Sequence, residues 1–143
     1  MPVKMGLREK IYFGHHLSTR HISKYNTANE QSLIECIEKE FPEYVVESPN
    51  QQKHADGYQK FKEKTGNGMN YYFQEVLPYM AAGIFLAFED GRFGAGVYAE
   101  ATFLKEHGRL IYEIDLVGRI KDIDLDVSRC LSIEETKSRI YGN

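Results

Sequence analysis

The residues best suited to chemistry lie in the run Phe93-Gly94-Ala95-Gly96-Val97-Tyr98-Ala99-Glu100-Ala101. An apolar strand, Ile84-Phe85-Leu86-Ala87-Phe88, leads through the acidic turn Glu89-Asp90 into these glycines, and the stretch from there to Lys105-Glu106-His107-Gly108 reads as a helix. Open α/β sheets bind ligands beyond the carboxyl ends of their strands, and this layout aims the Glu100 carboxylate at such a place. A glutamate there is a candidate nucleophile. With the helix starting near Ala95, Glu100 falls in its second turn, where the positive end of the dipole favours the ionised form. The competing reading is an exposed helical glutamate of the kind that Glu106 represents. The glycines do not make a dinucleotide fingerprint, because Gly94-Ala95-Gly96 lacks a third glycine and follows the third strand rather than the first.

The exit of the first strand is the second reservoir of chemistry, Gly14-His15-His16-Leu17-Ser18-Thr19-Arg20-His21. If the first and third strands are neighbours in a parallel sheet, this loop lies beside the glycine turn. Gly14 lets a ligand approach the backbone, and Arg20 offers a planar fork for phosphate or carboxylate, unless it is simply a solvated loop cation. The histidines fit hydrogen bonding to a sugar or phosphate. No cysteine is near them and their spacing matches no standard zinc pattern, so no metal is assigned. Tyr71, Tyr72 and Glu75 read as helix packing with a surface charge, and His54 and Asp56 as members of a long loop able to reach over a cleft.

These groups must be positioned by the elements around them. Lys10 to Phe13 reads as a short strand that breaks at Gly14. Asn26 or Thr27 can cap a helix whose apolar face is Leu33, Ile34, Ile37 and Phe41, stopped by Pro42. Tyr44-Val45-Val46 is a second strand. Residues 50–68 read as loop or as a short exposed helix around Tyr58 to Lys64, and 70–82 as a helix that Pro78 kinks or restarts. After the third strand and the helix from 95 to 107 come a fourth strand, Leu110 to Ile114, and a candidate fifth, Val127 to Leu131. Ser132 with Glu135 forms a capping box for a last helix through Ile140. Alternating strands and helices favour a three-layer α/β sandwich with a mainly parallel five-stranded sheet, of flavodoxin-like (Rossmann-like) type.

The bulk properties narrow the partners. The chain has 143 residues, one domain's worth, and a net charge of −3, which gives no electrostatic reason to bind a nucleic-acid polymer or an acidic membrane. Cys36 and Cys130 are the only cysteines and read as reduced core residues. There is neither a signal-peptide pattern at the N-terminus nor an apolar run of the roughly 18 residues that cross a bilayer, so a cytoplasmic protein is expected.

Taken together, Tyr12-Phe13-Gly14, an arginine in the following loop, and Gly96-Val97-Tyr98-Ala99-Glu100 before an alanine-containing helix and Gly108-Arg109-Leu110-Ile111 resemble the nucleoside 2-deoxyribosyltransferase family and its nucleotide N-glycosidase relatives. The resemblance spans most of residues 10–115. It implies a flavodoxin-like sheet and a cofactor-free enzyme in which Glu100 attacks C1′ of a nucleoside or nucleoside monophosphate, the base leaves, and water or a second base resolves the sugar ester. It also implies substrate contacts from Tyr12, Gly14, His15, Ser18 or Thr19, Arg20, Gly94, Gly96 and Tyr98, with Arg20 toward a 5′-phosphate and Tyr12 and Tyr98 shaping the base pocket. Many members carry an aspartate before the third strand, where this chain has Ala81-Ala82-Gly83; Glu89 and Asp90 are the candidates to replace it in positioning base or nucleophile. Members are dimers or larger, with a neighbour's chain terminus at the pocket, a place that Tyr141 and Asn143 would fill. The alternative is a nucleotide-binding or sensor module that kept the pocket and lost turnover. A flavin-binding domain fits less well, because the first loop lacks a Ser/Thr-rich phosphate cradle.

Overall fold

The computed structural model describes residues 9–15 and 27–141, excepting the side chains of 27, 28 and 141. Ser18, Arg20 and the rest of residues 16–26, together with the Tyr141 side chain and Asn143, lie outside the described residues.

Five strands form one sheet: β1 (Lys10–Gly14), β2 (Val45–Glu47), β3 (Ala82–Leu86), β4 (Leu110–Ile114) and β5 (Ile120–Asp122). Their spatial order is β2-β1-β3-β4-β5. The first four run parallel, and β5 returns antiparallel to β4. The helices are α1 (Thr27–Glu40), α2 (Gln52–Thr65), α3 (Ala95–Glu106) and α4 (Ile133–Tyr141).

Alternation along the central strands divides the core in two. Ile11, Phe13, Ile84 and Leu86 face one way, against Leu33 and Ile37 of α1, Leu131 and Ile140. Tyr12, Phe85 and Ala87 face the other way, against Val97, Ala101 and Leu104 of α3 and against Val76, Leu77 and Met80. A strand buried on both faces must be apolar throughout, as β3 is. Helices thus cover both faces of a mixed, mostly parallel sheet, a three-layer α/β arrangement. Each fully buried Phe, Ile or Leu here contributes roughly 1.5–3 kcal/mol.

The order of the strands decides where a site can form. The chain leaves β1 for β2 on one side and returns to β3 on the other, opening a crevice above the carboxyl ends of β1 and β3. Gly14, the last residue of β1, pairs with Phe85 there.

Several expectations need correction. Val127 to Leu131 is not a strand: Val127–Arg129 is a 3₁₀ turn capped by Asp126, which accepts from the Ser128 amide, and the fifth strand lies earlier, at Ile120–Asp122. The polar stretch after residue 50 holds a full helix, Gln52–Thr65, closed by Gly66 in the left-handed conformation (φ 79°). The 70–82 region is a π-helical turn, Tyr72–Val76, followed by a 3₁₀ turn, Leu77–Tyr79, which Pro78 helps to start. Both cysteines are free, as expected, but Cys130 is exposed rather than in the core. Among the described residues no helix is long and apolar enough to cross a membrane.

Candidate active site

Glu100 is on the inner face of α3. Val97, Glu100, Ala101 and Leu104 are the buried residues of this helix, at the spacing that brings one face against the sheet. At 5% exposure Glu100 is no surface glutamate. The start of α3 is held from outside: the Ala95 amide donates to Thr136 Oγ1 of α4 at 3.0 Å, so α4 caps the helix that carries the carboxylate.

Two groups of β1 meet this carboxylate. Tyr12, almost fully buried, donates its hydroxyl to Glu100 Oε2 at 2.8 Å. Glu100 Oε1 turns toward Gly14, lying 3.3 Å from where a Cβ would stand, while the Phe85 ring would be only 2.4 Å from that Cβ. A glycine is therefore required for Phe85 and Glu100 to crowd the end of β1 as they do.

Burial, working against the Tyr12 hydrogen bond, pushes the Glu100 carboxyl up to about 8. The expectation that the helix dipole keeps this group ionised is thus corrected: the dipole acts within a helix's first turn and is worth a fraction of the cost of desolvating a carboxylate. Burial, reinforced by Glu100, holds the phenols of Tyr12 and Tyr72 in their neutral, donating form.

Aromatic rings surround this pair. The Tyr72 ring lies 6.5 Å from Tyr12, edge to face, with Tyr71 at 5.1 Å and Tyr58 at 6.4 Å from Tyr72. Two glycines make room for the cluster: a Cβ on Gly57 would stand 2.1 Å from the Tyr71 ring, and one on Gly68 would stand 2.6 Å from the Tyr58 ring. Beside it opens a cleft of about 630 Å³, bounded by Tyr58, Met69, Phe73, Gly96, Ala99 and Lys137. A cleft of this size, with flat apolar walls and few polar groups, suits a small molecule with a planar ring.

A second buried polar network adjoins the tyrosines. Glu47, paired in register with Tyr12, accepts from His54 Nε2 at 2.7 Å and from Lys53 and Gln51, and Lys10 lies 3.3 Å from its other oxygen. Since a carboxylate only accepts, Nε2 carries the proton, and in the neutral ring Nδ1 accepts from the Tyr71 hydroxyl at 2.8 Å. Burial works to raise Glu47, but the bonds from His54, Lys53 and Gln51 outweigh it and hold the group at about 2. This network ties α2 to β2 and orients Tyr71. A folded-state value below the ordinary 4.5 means stability that is present above pH 4.5 and is lost as pH falls through 2. Glu47→Gln is therefore expected to lower the urea midpoint at pH 7 by the equivalent of about 3 kcal/mol, with the gap to the parent protein closing as the pH is lowered toward 3.

The structure brings together Tyr12, Gly14 and Glu100; Gly94 is the N-cap of α3, and Gly96 lies in its first turn, four residues before Glu100. Asp90 is placed elsewhere, accepting from both guanidinium nitrogens of Arg139 at 2.8 and 2.7 Å. Its neighbour Glu89 borders a separate cleft with Asp115 and Arg119. Tyr98 stands about 200° around the helix from Glu100 and gives its hydroxyl to the Leu125 carbonyl at 2.7 Å. His15 lies on the opposite face of the sheet from Glu100, its ring edge-on to Phe13. Sequence reasoning missed Glu47, Tyr58 and the place of Tyr72. The available signal was the glutamate ending the second strand seven residues before His54. Among the described residues no group of His, Cys, Asp and Glu is arranged to hold a metal ion. No protein-family model, curated protein or solved structure matches the chain.

Proposed function

We propose that this chain is a flavodoxin-like N-glycosidase or 2-deoxyribosyltransferase acting on a nucleoside or nucleoside monophosphate, with Glu100 as nucleophile. The observation that carries the reading is the Glu100 carboxylate, buried at the carboxyl end of β1, with Oε2 held by Tyr12 and Oε1 turned toward Gly14. The tyrosines and the adjoining cleft supply flat walls for a base.

In this scheme Glu100 first loses its proton. Oε1 then forms a bond to C1′ as the C1′–N bond breaks, its electron pair leaving with the base, which takes a proton from solvent. Water attacks C1′ of the sugar ester, gives up a proton to solvent and releases the carboxylate as the Oε1–C1′ bond breaks; in transfer a nitrogen of a second base attacks and loses its proton in the same way. Splitting one displacement into two is the logic of retaining glycosidases. Tyr12 fixes the carboxylate and stabilises its charge. The same reading expects a cytoplasmic homo-oligomer that needs no cofactor.

Incubation with a panel of ribo- and deoxyribonucleosides and their 5′-monophosphates tests this. The native protein is expected to release free base from at least one of them, and Glu100→Ala none. Base release at equal rates by both proteins would refute the role of Glu100. The raised Glu100 favours one second reading, a module that binds a nucleotide without turning it over; binding by both proteins with release by neither would establish it.

A further inference from the structure

The cleft of about 630 Å³ beside the tyrosines runs along the helix that carries Glu100. Gly96 lines it and precedes Glu100 by four residues on α3. That spacing puts the two about 40° apart around the helix axis and about 6 Å apart along it. Tyr58 also lines the cleft, and its ring stands 6.4 Å from Tyr72, which in turn lies 6.5 Å from Tyr12. A nucleoside with C1′ at the carboxylate can therefore carry its base into this cleft.

The polar side chains lining the cleft are chiefly donors. Lys137 is the one charged residue lining it, and the ammonium has neither an ion pair nor a hydrogen bond among the described residues. Asn67 spends its Oδ1 on the Met69 amide, at 3.0 Å, which leaves Nδ2, a donor, for a ligand. Thr136 is committed: its Oγ1 accepts from the Ala95 amide at 3.0 Å and donates to the Ser132 carbonyl at 2.8 Å. The Tyr58 phenol can donate or accept. Among the described residues no carboxylate lines the cleft, and Met69, Phe73, Ile133 and Ile140 make its walls apolar.

We propose that this cleft selects the base by its ring carbonyls, taking oxo bases such as uracil or hypoxanthine, with Lys137 and the Asn67 amide as the specificity-determining donors. The inference rests on the nucleotide reading above. A carbonyl oxygen meets a donor with a lone pair, and the charge of an ammonium strengthens that bond. The exocyclic amine that cytosine or adenine carries at the same position sets a donor against a donor. A site built to hydrogen-bond one group discriminates against the analogue that lacks it.

The test is calorimetric titration of Glu100→Gln, in which a bound nucleoside is not consumed, with pairs that differ at that one position: uridine against cytidine and inosine against adenosine, as ribo- and 2′-deoxyribonucleosides. The oxo member of each pair is expected to bind about tenfold tighter or more. Adding Lys137→Met, which keeps the apolar stem, should cost the oxo nucleosides about tenfold and leave the amino nucleosides unchanged, with the melting temperature preserved because Lys137 is exposed. Asn67→Asp keeps the bond from the Met69 amide and replaces the donor by an acceptor, so it should shift preference toward cytidine and adenosine. Equal affinities within each pair, or equal weakening of both members by Lys137→Met, overturns the selection by carbonyls. So does a Lys137→Met loss confined to 5′-monophosphates, which would make the lysine a phosphate ligand. In all three cases the nucleotide reading stands. Failure of every nucleoside and nucleotide to bind Glu100→Gln overturns both.

Discussion

Glu100→Gln should abolish base release and at the same time make the protein more stable at pH 8 and above. In the unfolded chain this carboxyl titrates at 4.5, and in the folded protein it is pushed up to about 8. Between these values the folded state keeps a proton that the unfolded state gives up, so stability falls as pH rises. Its contribution is at its best below pH 4.5, declines across the window from 4.5 to 8, and is level above it. At about 1.4 kcal/mol per pH unit, the charge costs on the order of several kcal/mol at the alkaline end. An amide escapes that cost and still accepts from Tyr12. Melting curves of the two proteins should therefore diverge with increasing pH, the variant holding its melting temperature while the parent's drops. Parallel curves would show that Glu100 does not titrate in this window.

The same proton governs the proposed reaction. A nucleophile must be ionised, so the kcat/KM for base release should climb about tenfold per pH unit below 8 and level off above it. Tyr12 sets where the limb lies, because its hydrogen bond is the force that lowers Glu100. Tyr12→Phe is expected to move the rising limb to higher pH as well as to slow the reaction. A change in rate at an unmoved limb would leave Tyr12 with packing alone.

Glu100 could be read from the chain because of the residues spaced around it on α3. Local patterns specified β4 and α4: Leu110–Ile114, apolar but for Glu113, follows the left-handed Gly108, and the Ser132–Glu135 capping box at the start of α4 forms both of its hydrogen bonds. A glutamate spaced three from Val97 and four from Leu104 on such a helix is carried inward by its neighbours. The elements that escaped have no such local statement. The three residues of β5, Ile-Lys-Asp, form a strand only because β4 offers an edge to pair with. Val127 to Cys130 has strand-like residues, but Asp126 turns the chain there by capping Ser128. In α2 the polar composition hides a helix whose few inward residues, His54, Tyr58 and Phe61, find partners on segments distant in sequence. The Glu47–His54–Tyr71 network likewise joins a strand, a helix and the N-cap of a π-helical turn; the glutamate seven residues before His54 is its one local signal, and nothing along the chain ties that pair to Tyr71.

Arg129→Ala should be strongly destabilising although it lies away from the candidate site, costing about 3 kcal/mol in urea unfolding at pH 7. Arg129 makes a two-pronged bond to Glu113, at 2.8 and 2.9 Å, and Glu113 on β4 is only 5% exposed. Truncation leaves that carboxylate buried, with, among the described residues, the exposed Lys121 at 3.9 Å to answer it. Arg129 also donates to the Gly91 and Asp124 carbonyls at 2.7 and 2.8 Å and lies 4.7 Å over the Phe93 ring. If the uncompensated charge is the main term, Glu113→Gln in the Arg129→Ala protein should recover a large part of the loss; recovery of nothing would shift the weight to the carbonyl and ring contacts. These last contacts connect stability to chemistry. Gly91 and Phe93 lie on the segment that delivers the chain from β3 into α3, and the Phe93 amide and carbonyl bond the Arg129 carbonyl and Leu131 amide. Freed from Arg129, that segment no longer fixes the first turn of the helix that carries Glu100, so base release by the folded fraction should fall as well.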